Sequence, residues 1–302
     1  MSNDAQPNRE IDGNLLRNIF YGYEIQDQLI AMRFIKAHFP MLPEKSVDRI
    51  YRSVREFFDG KDTGLFGGPI TAGDAIFIAA MMEWRKPKSV IEIGVASGYS
   101  SAFIIFYARK MQIASGSIFL TSFDLMETHA GGNGTGQFLI INYPEFQANW
   151  ALHTKATSVD ILRNDRMLST VDKSSALVFV DGGHSHPWPA LDLLVMRKAL
   201  GSNAWAVMQD VQMMERWIAD CVKFGVPSPA PVRGVNLAFS LWPGEKSVGH
   251  DLCYNCSAVA LDISTQEAQQ FVQRLERYNL EAPDFDFSLL REAIEETLSV
   301  HL

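Results

Sequence analysis

Several apolar runs in this chain end in residues that can do chemistry. The first leads into Glu92-Ile93-Gly94-Val95-Ala96-Ser97-Gly98-Tyr99-Ser100. Gly94 permits a sharp turn and Gly98 a close approach of the next helix, so the backbone between them can reach a ligand. The glycines lie four apart, unlike the G-x-G-x-x-G of dinucleotide sites. A carboxylate at Glu92 repels a pyrophosphate and suits the amino group of a cationic amino-acid ligand. The second run ends at Asp124, placed to accept hydrogen bonds from ribose hydroxyls.

A later run, Leu177-Val178-Phe179-Val180, delivers Asp181-Gly182-Gly183-His184. The two glycines let the loop turn tightly and throw His184 over the pocket, and an imidazole titrating near neutrality suits proton removal from a hydroxyl. His186, followed by Pro187-Trp188, reads as a loop-packing residue. The next run ends in Met208-Gln209-Asp210. A glycine-dense stretch, Thr128 to Gly136, is a candidate lid or phosphate cradle. It lacks the Lys-Ser/Thr of a P-loop, and its His129 reads as a surface residue.

Taken together, E-I-G-x-x-x-G-Y-S and D-G-G-H resemble the motifs of class I S-adenosylmethionine-dependent methyltransferases. The resemblance is closest to the catechol O-methyltransferase-like branch and its small-molecule and sugar O-methyltransferase relatives. Ala96 stands where many class I enzymes carry a further glycine. The resemblance implies that Glu92, Gly94, Gly98, Tyr99, Ser100, Asp124, Ser158 and Asp181 bind S-adenosylmethionine, with Ser158 at the adenine edge. It implies His184 as general base, and Asp181 with Asp210 as ligands of a divalent metal such as Mg2+. Gln209 weakens that last expectation, because a hard cation prefers carboxylate and water oxygens. The expected reaction is O-methylation of a small-molecule acceptor, a sugar or secondary metabolite. The alternatives are an NAD(P)-dependent Rossmann oxidoreductase, which tolerates Glu92 poorly, and a non-catalytic S-adenosylmethionine-binding protein, favoured by Gln209 and Ala96.

The elements that would position these residues alternate. Strands are expected at 89–93, 117–123, 151–157, 176–180, 204–208, 236–241 and 257–261, with helical patterns between most of the first five. Nearly all-apolar strands alternating with helices specify a parallel sheet covered on both faces. The last two runs, separated by a Pro243-Gly244 turn, read as an antiparallel hairpin closing the sheet. The fold class is therefore α/β, a Rossmann-like sheet with an N-terminal helical cap and C-terminal helices. Residues 1–75 read as the cap or a dimer surface, 76–265 as the cofactor-binding domain, and 266–302 as helices packed upon it, reaching Val300. Val47, Ile50, Tyr51, Val54 and Phe58 recur at helical spacing in the first zone.

Composition narrows the function classes. The 302 residues are 47% hydrophobic and 21% charged, enough for one sizeable core. A net charge of -8 and the lack of a basic stripe argue against nucleic acid. No secretory leader or bilayer-length apolar run is visible, so a cytoplasmic protein off the membrane is expected, with homodimerisation open. Cys221, Cys253 and Cys256 fit a reducing compartment, and the C-x-x-C lies in a strand-like run, where a structural role is expected.

Overall fold

The computed structural model describes residues 28–59, 70–114, 117–129, 132–200, 202–212, 221–223, 225, 233–248, 255–281, 285 and 287–294. Cys253, the Phe66–Pro69 breaker, Gly131 and the expected helix beyond Ile294 lie outside them.

The central apolar runs form strands because they are buried on both faces, while the edge run Trp150–Thr154 is half-buried. β1 (Ser89–Ile93), β2 (Leu120–Asp124), β3 (Trp150–Thr154), β4 (Ala176–Val180) and β5 (Trp205–Met208) are parallel. Two further strands, β6 (Lys246–Val248) and β7 (Ser257–Ala260), complete a seven-stranded sheet of order β3-β2-β1-β4-β5-β7-β6, with β7 antiparallel to β5 and to β6. The Rossmann-like α/β expectation holds. The order reverses between β1 and β4, and a crevice at that point is where such sheets bind ligands.

One expected strand is corrected. Asn236–Leu241 lies in a helix, Gly234–Leu241, and the strand that pairs with β7 is Lys246–Val248 instead. A short apolar run is ambiguous by composition, but Val235, Ala238, Phe239 and Trp242 are buried at helical spacing.

Alternate strand residues face opposite layers. Val90, Leu177, Phe179 and Val207 join one apolar cluster, and Ile91, Val178, Ala206 and Val259 join the other. The first cluster is shared with α1 (Gln28–His38), α2 (Glu44–Phe58), α3 (Ala72–Arg85) and α4 (Tyr99–Lys110). The N-terminal helices therefore cover one face of the sheet. The other face is covered by α6 (Ser158–Arg163), α7 (Trp188–Ala199), the corrected helix α8 (Gly234–Leu241), α9 (Thr265–Leu275) and α10 (Ser288–Ile294). A short α5 (Gln137–Asn142) follows the glycine-dense stretch.

Helix α3 is buried almost all round, so Glu83, a buried acid near its C-terminal end, needs partners. Glu83 accepts hydrogen bonds from Ser46 Oγ at 2.9 Å, Arg49 Nε at 2.6 Å and Tyr107 OH at 3.0 Å, and Lys86 caps it from the next turn. One carboxylate thus ties α2 and α4 to α3. No helix among the described residues is long and apolar enough to cross a membrane.

Candidate active site

The strand ends at the reversal are knitted by main-chain bonds. Gly94 N donates to Phe123 O at 2.8 Å, Asp181 N to Ile93 O at 2.8 Å, and Gln209 N to Val180 O at 3.0 Å. Gly94 sits at φ +89°, and a Cβ there would lie 2.0 Å from Asp181 O, so only glycine lets the two loops touch. The loop continues with Ala96 at φ 45°, a conformation costly for a residue with a Cβ. Asp124 explains how it is held. Its Oδ2 accepts from Val95 N at 2.8 Å and Ala96 N at 3.0 Å, while Oδ1 accepts from Met126 N at 2.7 Å.

Glu92 lies beneath this turn with no exposure to solvent. Ser100 Oγ donates to Oε1, and Ser101 Oγ and Ser122 Oγ to Oε2, each at 2.6 Å. Burial raises its pKa, and the three hydroxyls pull it back. Both Glu92 oxygens are engaged by these hydroxyls, so its charge reaches the far side of the turn as a field. Ser100 is one of those partners. Tyr99 also turns inward, with its ring 5.2 Å from Phe57 and 4.6 Å from Phe138, and its hydroxyl finds no hydrogen-bond partner among the described residues. Both side chains point into the layer of N-terminal helices because α4 starts immediately after Gly98.

Gly98 (φ +84°) interlocks with the glycine-dense stretch: a Cβ would lie 2.7 Å from Gly136 Cα. Gly136 N donates to Ala96 O at 2.9 Å and Phe138 N to Ser97 O at 2.8 Å. The described part of that stretch, 132–136, is thus a brace under the turn rather than a lid. Ser158 opens α6 after the Thr157 cap and is buried, its hydroxyl beside Asp192, whose pKa burial pushes up to about 7. His129 donates its main-chain N–H to Asn133 O, and its buried Nε2 has no hydrogen-bond partner among the described residues.

On the other side of the reversal the structure brings Asp181, His184 and Asp210 together. One ligand-capable atom from each lies within 4.8 Å of the others. His184 Nε2 is 2.8 Å from Asp210 Oδ2 and 3.7 Å from Asp181 Oδ1. Burial lowers the imidazole pKa, but Asp210 and then Asp181 outweigh it and hold it at about 9. Asp181 is raised by burial and by Asp210, with His184 opposing. Asp210 has φ 62°, a left-handed backbone that aims its carboxylate back across the loop. Gln209 is a neighbour of this cluster rather than a member. Turned with its NH2 toward Asp181, its amide donates to Oδ1 at 2.8 Å. His186 is fully buried against the Tyr278 and Phe287 rings, as its packing role requires.

One contributor was not anticipated. Asp74, on the first turn of α3, is fully buried; its charge is felt by Asp181, and it in turn feels that of Asp210. Burial raises its pKa to about 6, against the Thr71 amide and hydroxyl that donate to it. The spacing of Thr71 and Asp74 signals a helix cap in the sequence. Nothing in it signals proximity to the site.

A family model described as a methyltransferase domain matches residues 91–211, the segment from β1 to just past Asp210. Several solved structures are similar to the chain at low identity. The O-methyltransferase from Bacillus cereus in complex with SAH is 13% identical, over 76% of this chain and 97% of that one, with a TM-score of 0.43. The O-methyltransferase TomG from Streptomyces achromogenes, involved in tomaymycin synthesis and solved with SAM, is 16% identical over 77% and 96%, with a TM-score of 0.41. The SAH-bound Podospora anserina methyltransferase PaMTH1 is 14% identical over 95% and 96%, with a TM-score of 0.34. No curated protein matches the sequence. The glycine turn at the sheet reversal and the Asp181–His184–Asp210 cluster both lie within the segment that is similar to methyltransferase domains.

Proposed function

We propose that the protein is a class I S-adenosylmethionine-dependent methyltransferase that methylates a hydroxyl of a small molecule, a sugar or secondary metabolite, bound between the glycine turn and the Asp181–His184–Asp210 cluster. The observation that carries this is the cluster itself, one imidazole between two carboxylates facing the turn across the sheet reversal. In the transfer, the hydroxyl oxygen forms a bond to the methyl carbon as the carbon–sulfur electrons return to sulfur, and the hydroxyl proton must leave. Holding the oxygen in line supplies most of the acceleration, on the order of 7 kcal/mol at the upper end.

For the donor, Asp124 is the ribose partner in this reading. Its two oxygens already fix Val95, Ala96 and Met126 main-chain groups, so ribose hydroxyls join an existing network. Gly94 and Gly98 shape the surface under the amino-acid tail, Glu92 with Ser100 supplies a negative field beneath it, and Tyr99 backs the turn. Ser158 lies toward the adenine.

For the acceptor, His184 is the proton-handling group. The two carboxylates hold it at about 9, and a positive charge bound at Asp181 and Asp210 would favour the neutral imidazole that a base requires. The donor set fits a divalent cation: one oxygen from Asp181, one from Asp210 and Nε2 of His184 nearby, with Gln209 donating to Asp181 instead of ligating. When bound, such a cation lowers the pKa of the acceptor hydroxyl.

The test is a thermal-shift series with S-adenosylhomocysteine, alone and with Mg2+, Mn2+ or chelator, followed by a screen for S-adenosylhomocysteine release with hydroxylated acceptors. Stabilisation by the nucleoside and metal-dependent release are expected. Stabilisation without release on any acceptor would mark a non-catalytic binder.

A further inference from the structure

The loop that carries His184 begins with Gly182 and Gly183, the residues with most backbone freedom to lose. Ordering such a loop costs backbone entropy, so something must hold it. Its start is held by the bond from Asp181 N to Ile93 O, and its end by the bond from Trp188 N to Ser185 O at 2.9 Å. Between them, both main-chain groups of His186 go to a single residue far along the chain. His186 N donates to Glu281 Oε2 at 2.8 Å, and Glu281 N donates to His186 O at 3.1 Å.

The same carboxylate accepts from Arg233 N, at 2.8 Å to Oε1 and 3.0 Å to Oε2, where α8 begins. The next residue, Gly234, is pressed against the loop: a Cβ there would lie 2.3 Å from His184 O and 2.5 Å from His186 N. Three distant segments therefore meet at Glu281, all through main-chain donors. Neither Glu281 nor Gly234 lies in the segment that matches the methyltransferase-domain family.

We propose that Glu281 is a positioning residue for methyl transfer, a latch that fixes the 181–187 loop so that His184 stays in register with Asp210. The proposal rests on the reading of the Asp181–His184–Asp210 cluster as the reaction centre. Glu281 is two residues' reach from the imidazole and touches neither substrate nor cofactor. It acts through His186 and the loop. A displacement of His184 by about 1 Å is enough to lower turnover on the order of a hundredfold.

The chemistry predicts an order among variants. Glu281→Ala leaves two main-chain N–H groups, those of His186 and Arg233, without an acceptor. Glu281→Gln keeps one acceptor oxygen, sufficient for His186, and is the rescue. Hydrogen exchange of the full chain reads the latch directly. Glu281→Ala should speed exchange at amides 182–187 by about tenfold or more while amides 92–100 are unchanged, and Glu281→Gln should stay near wild type. Turnover should fall about tenfold or more in Glu281→Ala with the KM for S-adenosylmethionine unchanged. In a His184→Ala background the same change should cost nothing further.

Faster exchange throughout the chain, or a Gln variant as impaired as Ala, would show that Glu281 merely supports the fold and would overturn the proposal. So would additive losses in the double variant, or full turnover in His184→Ala. A localised exchange effect with no methyl transfer from wild type on any acceptor would instead sink the O-methylation reading and leave the loop latch standing.

Discussion

His184 Nε2 lies 2.8 Å from Oδ2 of Asp210, and Asp210 reaches it only because its own backbone takes a left-handed turn at φ 62° directly after β5. Aspartate tolerates that conformation better than most residues with a Cβ, and asparagine equally well. Asp210→Asn therefore keeps the shape and removes the charge. Cofactor-product affinity should be unchanged, while methyl transfer falls about a hundredfold or more. Unchanged turnover would show that the Asp210 charge plays no part in the reaction.

Ala96 pays a conformational cost at φ 45° that glycine would avoid. The left-handed region costs a Cβ-bearing residue roughly 1–2 kcal/mol, and the extra unfolded-state freedom of glycine offsets about half of that. Ala96→Gly is expected to be neutral to about 1 kcal/mol more stable by urea denaturation. Ala96→Val should be clearly less stable. A destabilised glycine variant would mean that the methyl group makes a contact worth more than the strain.

Asp192 is fully buried with a pKa pushed up to about 7, mainly by desolvation, with Ser158 pulling it back. An acid raised above its unfolded value near 4 binds more protons folded than unfolded across that interval. Its protonation therefore favours the fold fully below about pH 4, and that benefit is lost as pH rises through about 7. Asp192→Asn should be more stable than wild type at pH 8, by an amount on the order of a few kcal/mol, with the gap closing by pH 4. Parallel melting curves at both pH values would contradict this.

Glu83 joins α2, α3 and α4 and is held below the usual carboxylate range: burial opposes this, but Lys86, Ser46 and Arg49 outweigh it. Glu83→Ala strands the Tyr107 hydroxyl and the half-buried Arg49 guanidinium. The expected loss is about 3–5 kcal/mol, a fall in melting temperature of about 10 °C, with cofactor affinity of the folded molecule retained. Because the folded pKa is depressed, Glu83 stabilises the wild type above the unfolded value, and the contribution is lost as pH falls through the folded one. A melting temperature within a degree or two of wild type would show that the helices are held by apolar packing alone.

What the residues alone determined was the α/β sheet and the places to look for chemistry. A parallel strand buried on both faces must be apolar, so the runs into Glu92, Asp124, Asp181 and Asp210 announce themselves, and the glycines at 94 and 98 mark the turn. The helix at 234–241 was not legible: so short an apolar run reads equally as a strand, and the burial of Val235, Ala238, Phe239 and Trp242 at helical spacing decides it. Only the tertiary structure decided which way the side chains face. Glu92 and Tyr99 belong to the turn by sequence, yet alternation along β1 and the start of α4 send both into the buried layer, where hydroxyls and aromatic rings claim them. Only the fold could bring Asp74 from the N-terminal helices and Glu281 from beyond α9 to the same loop cluster, because proximity across such separations is set by how the layers pack and leaves no local mark on the residues concerned.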